Sequence, residues 1–170
     1  MAAHHVIAAF LSIVAGAFDL RTRRIPNLLT FGAALTGVGY HAATGGLTTA
    51  GWSVAGLAAG LLLFFPFFAL GGLGAGDVKL VAALGAWVGL PAILWVAFYT
   101  AIAGGVLALL AAAHHGLLGA TLRNLWLLLT HWRVAGPGPL DGLTLKTASG
   151  PRLPYSLPIA AGVFLTLWLR

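Results

Sequence analysis

The chain has no cysteine and no glutamate, and it has very few charged residues of any kind. The lack of cysteine excludes disulfides, a thiol nucleophile and cysteine-based zinc modules. Charged residues make up 7% of the 170 residues and hydrophobic residues 60%, whereas about a quarter of a soluble domain is charged. A surface with so little charge would not stay in water, so lipid must cover most of it. The composition therefore predicts a membrane protein.

Acidic residues are scarce, since Asp19, Asp77 and Asp141 are the only three, against nine lysines and arginines. The basic residues lie in short loops between apolar runs, a pattern typical of membrane topology and of contact with anionic lipid. A groove for phosphates would instead need basic residues gathered on one surface. We therefore predict the lipid bilayer, and not nucleic acid, as a partner.

Six apolar segments predict an all-α membrane protein with about six transmembrane helices in one polytopic domain, residues 1–170. The predicted spans are about 3–18, 28–43, 52–70, 78–90, 92–113 and 155–169. Pro91 separates the fourth span from the fifth, because proline has no backbone N–H to continue a helix.

The charges also predict the orientation of these spans. If the six spans alternate, Arg170 is the only lysine or arginine on its side of the membrane. The positive-inside rule makes the other side cytoplasmic and places both termini outside. Within the cytoplasmic segment 114–152, leucine and tryptophan recur at helical spacing over residues 118–132. This spacing favours an amphipathic helix at the membrane surface over a loosely helical linker.

Asp19 ends the first predicted span and Asp77 begins the fourth, both at the cytoplasmic boundary. An acid close to a bilayer is costly, so it suggests a functional site. Two apposed carboxyl groups share one proton, because both cannot ionise easily. The ionised group can activate water against a peptide carbonyl, the protonated group can donate to the carbonyl oxygen, and the pair can then protonate the departing nitrogen. Such a pair requires no metal or other cofactor.

Asp77 follows a glycine-rich run, residues 71–76, that includes Gly74 and Gly76. Glycine permits positive φ and lets another backbone approach closely, so an extended substrate peptide could lie there. The start of a helix favours an anion at Asp77, and Lys79 adds a nearby positive charge. We predict that Gly74, Gly76 and Lys79 help to position a substrate.

Three segments together resemble a known family. Residues 74–77 form a G-x-G-D motif, residues 18–27 read Phe-Asp-Leu-Arg-Thr-Arg-Arg-Ile-Pro-Asn, and residues 153–160 read Leu-Pro-Tyr-Ser-Leu-Pro-Ile-Ala. This combination is similar to the type IV prepilin peptidases, polytopic aspartic peptidases of bacterial inner membranes. The resemblance implies that Asp19 and Asp77 are the catalytic aspartates.

The resemblance also implies a substrate: a prepilin whose short basic leader is cut off after a glycine at the cytoplasmic membrane boundary. Lys79 or the Arg21–Arg24 cluster would then pair with the glutamate typical of mature pilin N-termini. The chain has no cysteine and its first span starts almost at Met1. In this it resembles the short, peptidase-only form that accompanies tight-adherence (Flp-type) pili, which implies no N-methyltransferase activity.

The sequence is also compatible with three other functions. The two acids could form a proton or cation relay in a transporter or channel, although no midplane acid or inverted repeat is visible. The chain could be a non-catalytic assembly subunit of a pilus or secretion machine. An intramembrane protease of the presenilin or signal-peptide-peptidase type also uses G-x-G-D, but Arg21, two residues after Asp19, favours a boundary site.

Individual residues also have simpler interpretations. Asp19 could end its helix and pair with Arg21 or Arg23. We expect Asn27 to cap the second span and Asp141 to lie in a turn. The histidine pairs at residues 4–5 and 114–115 belong to opposite ends of the spans, so we predict no metal site.

Overall fold

The computed structural model describes residues 3–136 and 154–169, and these residues form helices and short connections without any strand. The six helices are α1 Ala3–Thr22, α2 Asn27–Ala69, α3 Ala75–Val88, α4 Ala92–His114, α5 Leu118–Ala135 and α6 Ser156–Leu169. The predicted all-α class is confirmed. Asp141, for which we predicted a turn, lies outside the described residues.

Helix α2 folds back on itself at Gly46. Its 43 residues would extend about 65 Å as one straight helix, about twice the thickness of a ~30 Å hydrocarbon core. Gly46 leaves the helical conformation with φ 69° and ψ −161°, a region that glycine enters at low cost. The hydroxyl of Thr49 donates to the carbonyl of His41 at 2.6 Å, which the chain reversal permits. Helix α2 therefore has a first arm, residues 27–45, and a second arm, residues 47–69.

Helix α3 lies between the two arms of α2 and forms the centre of the molecule. Nine of its 14 residues are buried. The indole N–H of Trp87 donates to the carbonyl of Ala33 in the first arm at 2.8 Å. The hydroxyl of Ser53 in the second arm donates to the carbonyl of Ala86 at 2.6 Å. These bonds anchor the C-terminal half of α3, and its N-terminal turn carries Asp77.

Glycines bring the second arm of α2 unusually close to α3. A Cβ added to Gly56 would overlap the carbonyl oxygen of Gly85, and one added to Gly60 would lie 2.7 Å from the carbonyl oxygen of Val81. Small residues four apart on a helix let two backbones approach, which strengthens van der Waals packing inside a membrane. This contact is therefore specific to glycine.

Helix α6 packs against α1 and α4. The contact with α4 is tight at Gly162, where an added Cβ would overlap the Thr100 hydroxyl. At the other end of this interface, the Tyr155 ring lies against Gly104. This packing carries the first residue of α6 to the end of α1, where Asp19 lies.

The outside of the bundle is apolar. Large side chains such as Phe10, Leu35, Leu62 and Leu110 are each more than 60% exposed, which suits lipid and not water. Among the described helices, α1, α2 and α4 are long and apolar enough to cross a membrane, and α6 is a shorter apolar helix. The predicted transmembrane character is confirmed, whereas the division into six spans with the predicted boundaries stays a prediction.

Helix α5 covers the stretch for which the sequence predicted an amphipathic helix. None of its residues is buried, and Leu122, Leu125 and Trp126 are at least half exposed. The predicted helix is thus present. Its position at the membrane surface stays a prediction.

Candidate active site

Asp19 lies in the last turn of α1 and is buried, with 9% of its surface exposed. Its Oδ2 accepts a hydrogen bond of 2.7 Å from the hydroxyl of Ser156, the first residue of α6. A buried carboxyl group needs such a partner, because burial without one costs free energy. The end of α1 and the start of α6 therefore hold Asp19 together.

Asp77 lies in the first turn of α3 and is half-buried. Gly74 is the N-cap of this helix, with an extended backbone of φ −79° and ψ 147°. The Asp77 carboxyl group accepts a hydrogen bond from the backbone N–H of Gly74, as an acidic residue at the third helical position does in a capping box. The connection from α2 to α3 thus sets the position of Asp77.

Asp19 and Asp77 line the same cavity, which has a volume of about 420 Å³. Their carboxyl groups are close enough to interact electrostatically. The remaining walls come from the α1–α2 connection with the first residue of α2, residues 23–27, and from the N-cap and first turn of α3, which include residues 74–76. Because a water molecule occupies about 30 Å³, the cavity has room for water together with a short extended peptide.

The glycines before Asp77 act mainly through their small size. Gly71 has a positive φ of 76°, as the sequence suggested, but Gly74 and Gly76 do not. A Cβ on Gly74 would lie 3.0 Å from Oδ2 of Asp77, and a Cβ on Gly76 would lie 3.3 Å from Cβ of Ile25. Both glycines therefore allow close packing around the cavity. That a substrate backbone lies against them stays a prediction.

Lys79 also lines the cavity, and its side chain is held from two sides. Its Nζ donates to Oδ1 of Asn27 at 2.9 Å and lies 5.3 Å from the centre of the Phe31 ring. The predicted cap at Asn27 is wrong, since Pro26 is the N-cap of α2 and no side chain caps this helix. The Asn27 side chain binds Lys79 instead, a contact across 52 residues that local sequence could not indicate.

Arginines add further positive charge at the same cavity. Of the predicted cluster, Arg23 and Arg24 are among the lining residues. With Lys79, three cationic residues therefore line the cavity that holds the two carboxyl groups. This arrangement favours an anionic group in whatever binds there.

Sequence reasoning missed Ser156 and Tyr155 as residues of the site. Ser156 binds Asp19 directly, and the Tyr155 phenol is close enough to Asp77 for the two groups to interact electrostatically. Residues 153–160 resemble the last span of the prepilin peptidases, but that resemblance alone gives no role to any of them. Local sequence could not indicate these contacts, because Ser156 is 137 positions from Asp19 and Tyr155 is also far along the chain from Asp77.

Histidines gather at the other end of α3. The rings of His4 and His5 are 4.3 Å apart, and those of His4 and His41 are 5.3 Å apart. His41 contacts the carbonyl of Trp87 at 3.0 Å through Nε2. Within the described ranges, no group of three or more metal-binding side chains is arranged to hold an ion.

The sequence profile of the type IV leader peptidase family matches residues 6–109, which include Asp19 and Asp77. The chain belongs to this family. It is also 31% identical over 145 residues to the leader peptidase HopD of Salmonella typhimurium strain LT2, an alignment that covers 78% of this chain and 94% of HopD. No solved structure matches the chain significantly.

This leader peptidase is therefore a membrane-embedded hydrolase that removes leader peptides from prepilins. The resemblance to type IV prepilin peptidases and the predicted enzyme class are confirmed. The family match decides against the transporter and the non-catalytic assembly subunit. It also decides against the presenilin-type protease, because the matching profile is that of the leader peptidases.

Proposed function

We propose that Asp19 and Asp77 are the catalytic pair of this leader peptidase. The observation that supports this role is the shared cavity, in which the two carboxyl groups interact electrostatically. Two such groups hold a single proton over a broad range of pH. One group is then ready to accept a proton while the other is ready to donate one.

The reaction follows from this shared proton. The ionised carboxylate takes a proton from water, and the water oxygen attacks the carbonyl carbon of the scissile peptide bond. The protonated carboxyl group gives its proton to the carbonyl oxygen, which forms a tetrahedral diol. The first carboxyl group then passes its proton to the amide nitrogen and the C–N bond breaks. The second carboxylate takes a hydroxyl proton from the diol, and both groups regain their starting states.

The proposed substrate is an Flp-like prepilin with a short basic leader, cut after a glycine at the cytoplasmic boundary of the inner membrane. The charge distribution supports this side, because the end of α1 and the start of α3 belong to the arginine-rich side that the positive-inside rule makes cytoplasmic. Both termini would then lie outside. A leader that never crosses the membrane is accessible to a site at this boundary. The lack of cysteine supports a peptidase-only enzyme without N-methyltransferase activity.

The test is direct cleavage of purified prepilins by the purified peptidase in lipid. We expect an Flp-type prepilin to yield its free leader and a mature pilin with an unmethylated N-terminus, both identified by mass spectrometry. A prepilin in which a bulky residue replaces the glycine before the cut serves as the uncleaved control. A methylated product in the presence of a methyl donor would refute the peptidase-only form, and an intact Flp-type prepilin would refute the proposed substrate.

A charge reversal, Lys79→Glu, is expected to weaken prepilin processing. Lys79 lines the cavity, and its hydrogen-bond partner Asn27 is neutral, so its charge can still attract an anion. Loss of a partly buried charge pair with the pilin glutamate should lower kcat/KM about tenfold or more, mainly through KM. Steady-state cleavage of a fluorescent prepilin measures both constants.

The matched control for this change is a charge swap in the substrate. Lys79→Arg should keep most of the activity, since it preserves the positive charge. A pilin in which lysine replaces the N-terminal glutamate should be cut better by Lys79→Glu than by the native enzyme. Unchanged kinetics of Lys79→Glu with both pilins would contradict the pairing.

A further inference from the structure

Ser156 connects the last helix of the molecule to the aspartate cavity. Its hydroxyl donates to Oδ2 of Asp19 at 2.7 Å, and the Ser156 side chain is fully buried. The two residues are 137 positions apart in the chain. Both ends of this bond are on packed helices, because α6 lies against α1 and α4. The bond is thus held by the fold and not by a flexible loop.

We infer that Ser156 is a positioning residue that orients the Asp19 carboxyl group for catalysis. This inference rests on the proposed catalytic role of Asp19 and extends it to the last helix. A carboxyl group on an unrestrained side chain rotates about two bonds, whereas one bound through Oδ2 keeps a single orientation and leaves its second oxygen for the reaction. Catalytic groups work best when a third residue fixes their geometry.

Ser156 and Gly74 each orient the carboxyl group of one of the two aspartates. Asp77 is oriented from its own helix by the backbone N–H of Gly74. Asp19 lies in the last turn of its helix, and its carboxyl group accepts a hydrogen bond from Ser156 on a different helix. A displacement of α6 would therefore disturb Asp19 and leave the hydrogen bond at Asp77 intact.

The test compares purified variants for kcat and KM on one prepilin and for thermal unfolding. Ser156→Ala removes the hydroxyl with little change in volume, and we expect kcat to fall about 10- to 100-fold, as when the hydrogen-bond partner of a metal ligand is removed. KM should stay near its native value, because Ser156 does not line the cavity. Ser156→Thr keeps the hydroxyl and should restore most of kcat.

Ser53→Ala is the matched control, because it removes a buried serine hydroxyl bond of 2.6 Å at the opposite end of α3. A merely structural role predicts that Ser53→Ala and Ser156→Ala lose thermal stability alike and keep the native kcat. A native kcat in folded Ser156→Ala overturns the inference. An equal loss of kcat in Ser156→Ala and Ser156→Thr also overturns it, since the defect would then come from packing.

Two further variants, Ser156→Cys and Asp19→Asn, complete the test. If Ser156→Ala does not accumulate, Ser156→Cys replaces it, and its weak S–H donor should give an intermediate kcat, whereas a native kcat would overturn the inference. Asp19→Asn is measured in parallel. Full activity of Asp19→Asn removes the proposed catalytic pair and the role of Ser156 with it. An inactive Asp19→Asn beside a fully active Ser156→Ala removes only the role of Ser156.

Discussion

Asp19→Asn and Asp77→Asn are each expected to abolish leader cleavage while the enzyme remains folded in the membrane. Asparagine has nearly the shape of aspartate and can keep one hydrogen bond, to Ser156 or to the Gly74 N–H. It cannot exchange a proton at neutral pH, so the pair loses either its acid or its base. Because one such group contributes about 10²- to 10⁴-fold to a rate and each aspartate serves in both halves of the reaction, we expect a loss of at least about 10³-fold.

Co-expression with an Flp-type prepilin measures this effect, because removal of the leader shifts the pilin on a gel. Equal amounts of each variant in the membrane fraction must be shown by immunoblot. Asp141→Asn is the matched control, since it removes the third acid of the sequence by the same chemical change, and we expect it to cleave normally. Cleavage that persists in both Asp19→Asn and Asp77→Asn would refute the aspartate mechanism.

Gly56→Leu is expected to cause the largest loss of stability. The position faces the backbone of Gly85 so closely that even one added carbon overlaps a carbonyl oxygen, and that oxygen belongs to a buried helix that cannot move aside. Overpacking at a single site commonly costs about 1–3 kcal/mol, and leucine adds several carbons. We therefore expect at least a tenfold loss of folded protein, since a factor of ten corresponds to about 1.4 kcal/mol.

Size-exclusion chromatography in detergent, with the monodisperse peak as the readout, measures the folded fraction. Gly51→Leu is the matched control on the same arm of α2, because Gly51 is exposed and an added Cβ there meets no atom within 4 Å. Gly56→Ala should fall between the two. A monodisperse yield of Gly56→Leu equal to that of Gly51→Leu would show that the two helices do not pack at these glycines.

Much of this protein could be predicted without a structure, because the determining features are properties of composition and of short motifs. Low charge and long apolar runs require lipid as the solvent, and in lipid the backbone must satisfy its own hydrogen bonds, which favours helices. Because the sequence has only three acidic residues, Asp19 and Asp77 stand out by their positions at the ends of apolar spans. The G-x-G-D motif then pointed to the peptidase family that the comparison shows.

The N-cap predicted at Asn27 from local sequence was wrong, because a tertiary contact takes its side chain. Asparagine after proline at the start of a helix is a good N-cap by local rules. Lys79, 52 residues away, offers the Asn27 amide oxygen a charged donor. A charge-assisted hydrogen bond is stronger than a neutral one, so the tertiary contact prevails over the local preference.

Amino-acid composition and motif spacing thus determined the solvent, the helical class, the family and the two candidate aspartates, since each depends on residues close together in the chain. The tertiary structure decided the rest: the reversal at Gly46, the placement of α3 between the arms of α2, and the hydrogen bond from Ser156 to Asp19. These features depend on how closely particular helices can approach. That distance is set by residues such as Gly56 and Gly162, which let a backbone approach closely only where a partner helix is present.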